Sequence, residues 1–137
     1  MSEDFLKNYE HFVASVTSDA SNDVEVFISR IRELANNEHG VNIPLMLTSG
    51  VGISDEGGEF LGIIKKILLH GKPLDDVNFE HLKSELGDVA WYWINGCRAL
   101  GIDPHEVMAN NVTKLETRYP GGKFDVWRSE NRAENDI

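Results

Sequence analysis

Apolar residues recur at three- and four-residue intervals in five stretches of the chain, the spacing expected of one buried face of a helix. The first stretch runs from about Phe5 to Val16 and sets Phe5, Tyr9, Phe12, Val13 and Val16 on one side. The second runs from about Asp23 to Ala35, with Val24, Phe27, Ile28, Ile31, Leu34 and Ala35 apolar and Asn22 placed as an N-cap. A polar break, Asn-Asn-Glu-His-Gly-Val-Asn, follows. Pro44 suits the first turn of a third helix, which continues to about Leu69 and stops at His70-Gly71 with Pro73 beyond. The fourth runs from about Asn78 to Leu100 and ends at Gly101. The fifth opens on Asp103-Pro104-His105-Glu106, a cap, an N1 proline and a capping-box glutamate in register, and closes before Pro120. From Gly121 the chain is polar and reads as a tail. No segment alternates for more than a few residues, so strands are not expected. The pattern predicts an all-α bundle of about five helices in a single domain covering residues 1–137.

The third helix conflicts with local propensity. Gly50, Gly52, Gly57, Gly58 and Gly62 all fall within it, and each interior glycine costs roughly 1 kcal/mol relative to alanine. Such repeated rule-breaking points to a close approach by backbone or ligand; the alternative is that residues 44–54 form a loop.

Composition narrows the function. The chain has 137 residues and a formal net charge of −10, which argues against binding a nucleic acid polymer, because that depends on Lys and Arg neutralising phosphates. A small phosphorylated substrate stays possible if cations supply the missing positive charge. No apolar run is long enough to span a membrane, and the start, MSEDFLKNYE, lacks the apolar core of an export signal. Cys97 is the single cysteine and has neither a disulfide partner nor a CxxC companion. A reducing, cytoplasmic setting fits these features.

The chemistry lies in two pairs of acids. With about 100° per residue, Ile53, Phe60, Ile63 and Ile67 fall within about 60° of Glu56, and Glu59 lies about 60° to the other side. Around Glu85 the residues are Leu82, Val89 and Tyr92, again with Asp88 about 60° away. Both pairs therefore interrupt apolar stripes, whereas most E-x-x-E and E-x-x-D pairs are solvated surface. Burying four acids together is costly through desolvation and mutual repulsion, unless their pKa values rise or cations bind. Neither stripe carries an arginine to pair them. Four inward oxygen donors suit Mg²⁺, with Mn²⁺ as a substitute, and do not suit zinc. On the fifth helix Asn111, Lys114 and Arg118 share a face with Val107, Met108 and Leu115, a candidate phosphate clamp if it faces the acids and a solvated stripe if it does not. Trp91, Tyr92 and Trp93 read as core ahead of base-stacking groups. His11, His39, His70, His81 and His105 show no ligand spacing, and His81, one turn before Glu85, reads as structural.

These residues resemble a known family. Asp55-Glu56-Gly57-Gly58-Glu59-Phe60, then Glu85-Leu86-Gly87-Asp88-Val89, then Asn111-x-x-Lys114-Leu115-x-x-Arg118-Tyr119-Pro120 with Gly122-Lys123-Phe124 is similar to the MazG-like nucleoside triphosphate pyrophosphohydrolases. The spacer Phe60–Ser84 between the acid pairs is 25 residues long, and the resemblance covers residues 45–124. It implies an all-α fold of the NTP pyrophosphatase type, assembled as a homodimer or homotetramer, that hydrolyses a (d)NTP to the monophosphate and pyrophosphate. Glu56, Glu59, Glu85 and Asp88 then match Mg²⁺ ligands, Glu56 or Glu59 takes the general-base role, and Asn111, Lys114 and Arg118 fall at substrate-contacting positions. Asp55 stands where relatives often carry a glutamate, and the first two helices lie outside the resemblance. The competing readings are a dUTPase, dCTPase or phosphoribosyl-ATP pyrophosphohydrolase of the same superfamily, or a non-catalytic, metal-stabilised oligomeric binding module.

Overall fold

The computed structural model describes residues 3–132 and is helical, with no strand among them. Seven helices follow one another: α1 (Glu3–Val16), α2 (Asp19–Asn22), α3 (Val24–Leu34), α4 (Ile43–His70), α5 (Asp76–Leu100), α6 (Pro104–Arg118) and α7 (Val126–Glu130). The five expected helices are α1, α3, α4, α5 and α6. The single turns α2 and α7 are additional, too short to show periodicity. Helix α7 stands in the expected polar tail, where the Asp125 side chain accepts the Arg128 N–H at 2.8 Å; residues 133–137 of that tail lie outside the described residues. Asn22 is not the cap of α3. Asp23 holds that place, its carboxylate accepting the N–H groups of Glu25 and Val26 at 2.8 and 3.2 Å, because Asn22 is the last residue of α2.

The chain divides into two compact units, Met1–Ile43 and Pro44–Ile137. In the first, the segment after α3 is tied by Asn37. Its amide donates to the carbonyls of Leu34 and Val41 at 2.9 and 3.0 Å, and its oxygen accepts the Val41 N–H at 2.8 Å. The apolar face of α1 is not covered: Phe5, Tyr9 and Phe12 are all more than half exposed, with Phe5 and Tyr9 stacked at 6.3 Å.

In the second unit α4 is one continuous helix through all five glycines, so residues 44–54 are not a loop. It ends at Gly71, whose φ of 70° is the left-handed conformation of a C′ glycine, and the Lys72 N–H reaches back to the Lys66 carbonyl at 3.1 Å. Helix α5 opens on Asp75, which accepts the Asn78 N–H at 2.9 Å. Helix α6 opens on Asp103, which accepts the His105 N–H at 2.9 Å, with Pro104 next.

Helices α4 and α5 meet through small residues. The Ser49 hydroxyl donates to the Tyr92 carbonyl at 2.8 Å. Gly52 lies against the Tyr92 ring so closely that a Cβ there would overlap the ring, and a Cβ on Gly96 would come within 2.7 Å of the Ser49 Oγ. Gly52 thus has the close approach its cost implied. Gly50, Gly57, Gly58 and Gly62 have open space where a Cβ would go. This contrast predicts opposite signs. Gly52→Ala forces the Tyr92 ring aside and destabilises the chain by about 1–3 kcal/mol. Gly50→Ala gains helix propensity, worth up to about 1 kcal/mol in an open position. Thermal melts of the two variants check this, and equal shifts would remove the claim that Gly52 sets the α4–α5 approach.

Buried positions are few, and most are small or polar. Ser49, Gly52, Asn78, Asn95, Cys97 and Ala99 are buried, while no large side chain among the described residues is fully so. Asn95 is held by donating to the Trp91 carbonyl at 3.1 Å and accepting from Arg98 at 2.8 Å. Trp91 is exposed, not core, and packs edge-on to Tyr92 at 4.7 Å. No helix among the described residues is long and apolar enough to cross a membrane.

Candidate active site

The α4–α5 register places the acids. From the Ser49–Tyr92 hydrogen bond, seven residues forward along α4 lead to Glu56 and seven back along α5 lead to Glu85. Both steps are about two turns, roughly 10 Å of rise, so an antiparallel pair brings these two carboxylates to one level. They do meet: Glu56, Glu59 and Glu85 each offer a carboxylate oxygen within 4.8 Å of the others. Asp88 lies outside that triplet yet bears on it. The Glu56 carboxyl is pushed above its ordinary 4.5, first by desolvation and then by the negative charges of Asp88, Glu59, Glu85 and Asp55.

The stripes are less buried than their periodicity suggests. Glu56 and Glu85 are half-buried, Glu59 and Asp88 are exposed, and Phe60, Ile63, Leu82 and Val89 are only half-buried. An α4–α5 pair can cover no more than one side of each helix, so the four acids are not buried together among the described residues. Repulsion, however, remains. All donors are carboxylate oxygens, and three of them converge at a spacing a hard cation bridges, which fits Mg²⁺ or Mn²⁺. Asp55 is a contributor that sequence reading left out of the site. Its adjacency to Glu56 was the available signal.

Asn111, Lys114 and Arg118 lie on α6, with Asn111 and Lys114 exposed and Arg118 half-buried. His81 is exposed on α5 and lies outside the carboxylate cluster.

A family model, the MazG nucleotide pyrophosphohydrolase domain, matches residues 47–122. The chain belongs to that family. The matched span takes in both acid pairs, the spacer between them and all of α6, and leaves out α1, α2 and α3. Neither the curated proteins nor the solved structures gave a match. The all-helical architecture is the one the MazG domain implies, and membership makes the chain a nucleotide pyrophosphohydrolase in general terms.

Proposed function

We propose that this chain hydrolyses nucleoside triphosphates to nucleoside monophosphate and pyrophosphate, with Mg²⁺ held by Glu56, Glu59, Glu85 and Asp88. The convergence of carboxylates from α4 and α5 carries this reading, because such a cluster is poorly stable without a cation and matches the family's chemistry. When bound, Mg²⁺ neutralises triphosphate charge that a chain of net charge −10 would otherwise repel. Asn111, Lys114 and Arg118 orient the phosphates, the lysine as a point charge and the arginine as a fork. Glu56 or Glu59 accepts a proton from the attacking water. The water oxygen forms a bond to the α-phosphorus as the bond from that phosphorus to the α–β bridging oxygen breaks, and pyrophosphate leaves with the electron pair. Release of pyrophosphate from a panel of canonical (d)NTPs, present with Mg²⁺ and absent with EDTA, tests the proposal. No release from any member of the panel would favour a non-catalytic module.

The chain's exposed apolar surface supports assembly. Phe5, Tyr9, Phe12, Val16 and Phe27 on α1 and α3 face solvent in the isolated chain, and surfaces of this kind favour association. The expected outcome of light scattering at micromolar concentration is a closed homodimer or homotetramer with two-fold symmetry. A monomeric mass with full activity would refute it and leave the site complete in one chain.

A further inference from the structure

Beyond α6 the chain forms a second concave site. Tyr119, the C-cap of α6, accepts the Gly122 N–H at 2.8 Å through its carbonyl, closing a turn with Pro120 at its second position. Gly122, at φ 65°, lets the chain reverse there. The reversal brings Phe124 back beside Tyr119, with ring centroids 5.8 Å apart and planes inclined by 45°. Beside them opens a pocket of about 300 Å³, lined also by Val112, Leu115, Glu116 and Lys123. Phe124 is 71% exposed, which leaves it accessible to a ligand.

We propose that this pocket is the nucleobase subsite of the substrate. The assignment rests on the pyrophosphohydrolase reading and adds to it where the base is held. A base is a flat ring with apolar faces and a polar edge. The inclined pair Tyr119 and Phe124 offers a face for stacking, Val112 and Leu115 add apolar contact, and Glu116 and Lys123 present an acceptor and a donor. Placement agrees. Glu85 lies sixteen residues before Gly101 on α5, and Tyr119 lies sixteen residues after Asp103 on α6. The connection between these helices is only residues 101–103, the length that joins antiparallel helical hairpins. Were α6 to run back along α5 as in such a hairpin, equal rises of about 24 Å on each side would set the pocket level with the turn that carries Glu85 and Asp88. Asn111, Lys114 and Arg118 lie on the adjoining face of α6, which meets the pocket face at Leu115. In that arrangement a nucleotide would set its phosphates toward the acids and cations and its base against the exposed face of Phe124.

The test compares two ligands by calorimetry in Mg²⁺: α,β-methylene analogues of the common nucleoside triphosphates, and inorganic tripolyphosphate, which has no base. Phe124→Ala is expected to weaken the best-bound analogue by about tenfold or more, the usual scale of lost base stacking, and to leave tripolyphosphate within twofold. Phe124→Leu, which keeps apolar bulk without a π face, should lose most of the same affinity, and Phe124→Trp should restore it. Equal losses for both ligands, or no loss for either, overturn the assignment. So does a fall in assembly mass at unchanged analogue affinity, which shows that a second copy covers the pocket. A wild-type chain that binds neither ligand overturns the pyrophosphohydrolase reading and the subsite with it, an outcome distinct from failure of the Phe124 variants alone.

Discussion

Glu56→Gln, Glu59→Gln, Glu85→Gln and Asp88→Asn should each lower pyrophosphate release by about a hundredfold or more, the scale on which loss of a metal ligand or general base is felt. The three glutamates converge within 4.8 Å, and Asp88 leads the charges that act on Glu56. The amides preserve shape and remove charge, so the loss reports on charge and not on packing. Asp55→Asn is the contrasting variant. Asp55 contributes last among the charges on Glu56 and stands outside the convergent triplet, so its effect should be smaller than that of any of the four. Steady-state kinetics at saturating Mg²⁺ measures all five. Near-wild-type turnover in two of the four would remove the site assignment.

Mg²⁺ should raise the melting temperature, because it relieves repulsion present only where the fold gathers the acids. At a hundredfold excess over Kd, ligand binding to the native state alone contributes about 2.7 kcal/mol, which for a domain of this size is a shift of roughly 10 °C. The raised Glu56 pKa adds one pH-dependent contribution to the stability of the metal-free protein. Because the folded carboxyl holds its proton at pH values where the unfolded one has lost it, stability from this group is fullest at and below about pH 4.5 and declines as pH rises through the raised value. Glu56→Gln removes that repulsion, so the metal-free variant should melt at or above the wild-type temperature at neutral pH, with a weakened Mg²⁺ response and little activity. A wild-type melting temperature indifferent to millimolar Mg²⁺ would count directly against a cation site.

Much of the architecture was legible in the chain. Caps and terminators act within one turn, so Asp103 with Pro104, the Gly71–Pro73 stop and the Gly101 end of α5 could be placed from local residue types. The acids were found because Glu56 and Glu85 interrupt apolar stripes, a feature the 3.6-residue period exposes without reference to any other helix. The period also indicated where a partner surface would be needed, though not which one. Here it misled about burial: Phe60, Ile63, Leu82 and Val89 keep helical spacing yet remain half-exposed, because one neighbouring helix covers only part of a stripe.

What the sequence by itself determined is the helical class, most helix ends and the place of two acid pairs on apolar stripes, all properties of residues close in the chain. The tertiary structure alone decided that Gly52 is the glycine pressed by a neighbour, since its four companions are alike in sequence and differ only in what stands opposite them. It also decided that three carboxylates share one point, which depends on the antiparallel register fixed at Ser49 and Tyr92. Phe124 closing on Tyr119 to make a pocket was likewise invisible, because a turn is needed to bring those rings together. Propensity and capping are energies of neighbours within a turn; register and enclosure are set by contacts between residues tens of positions apart.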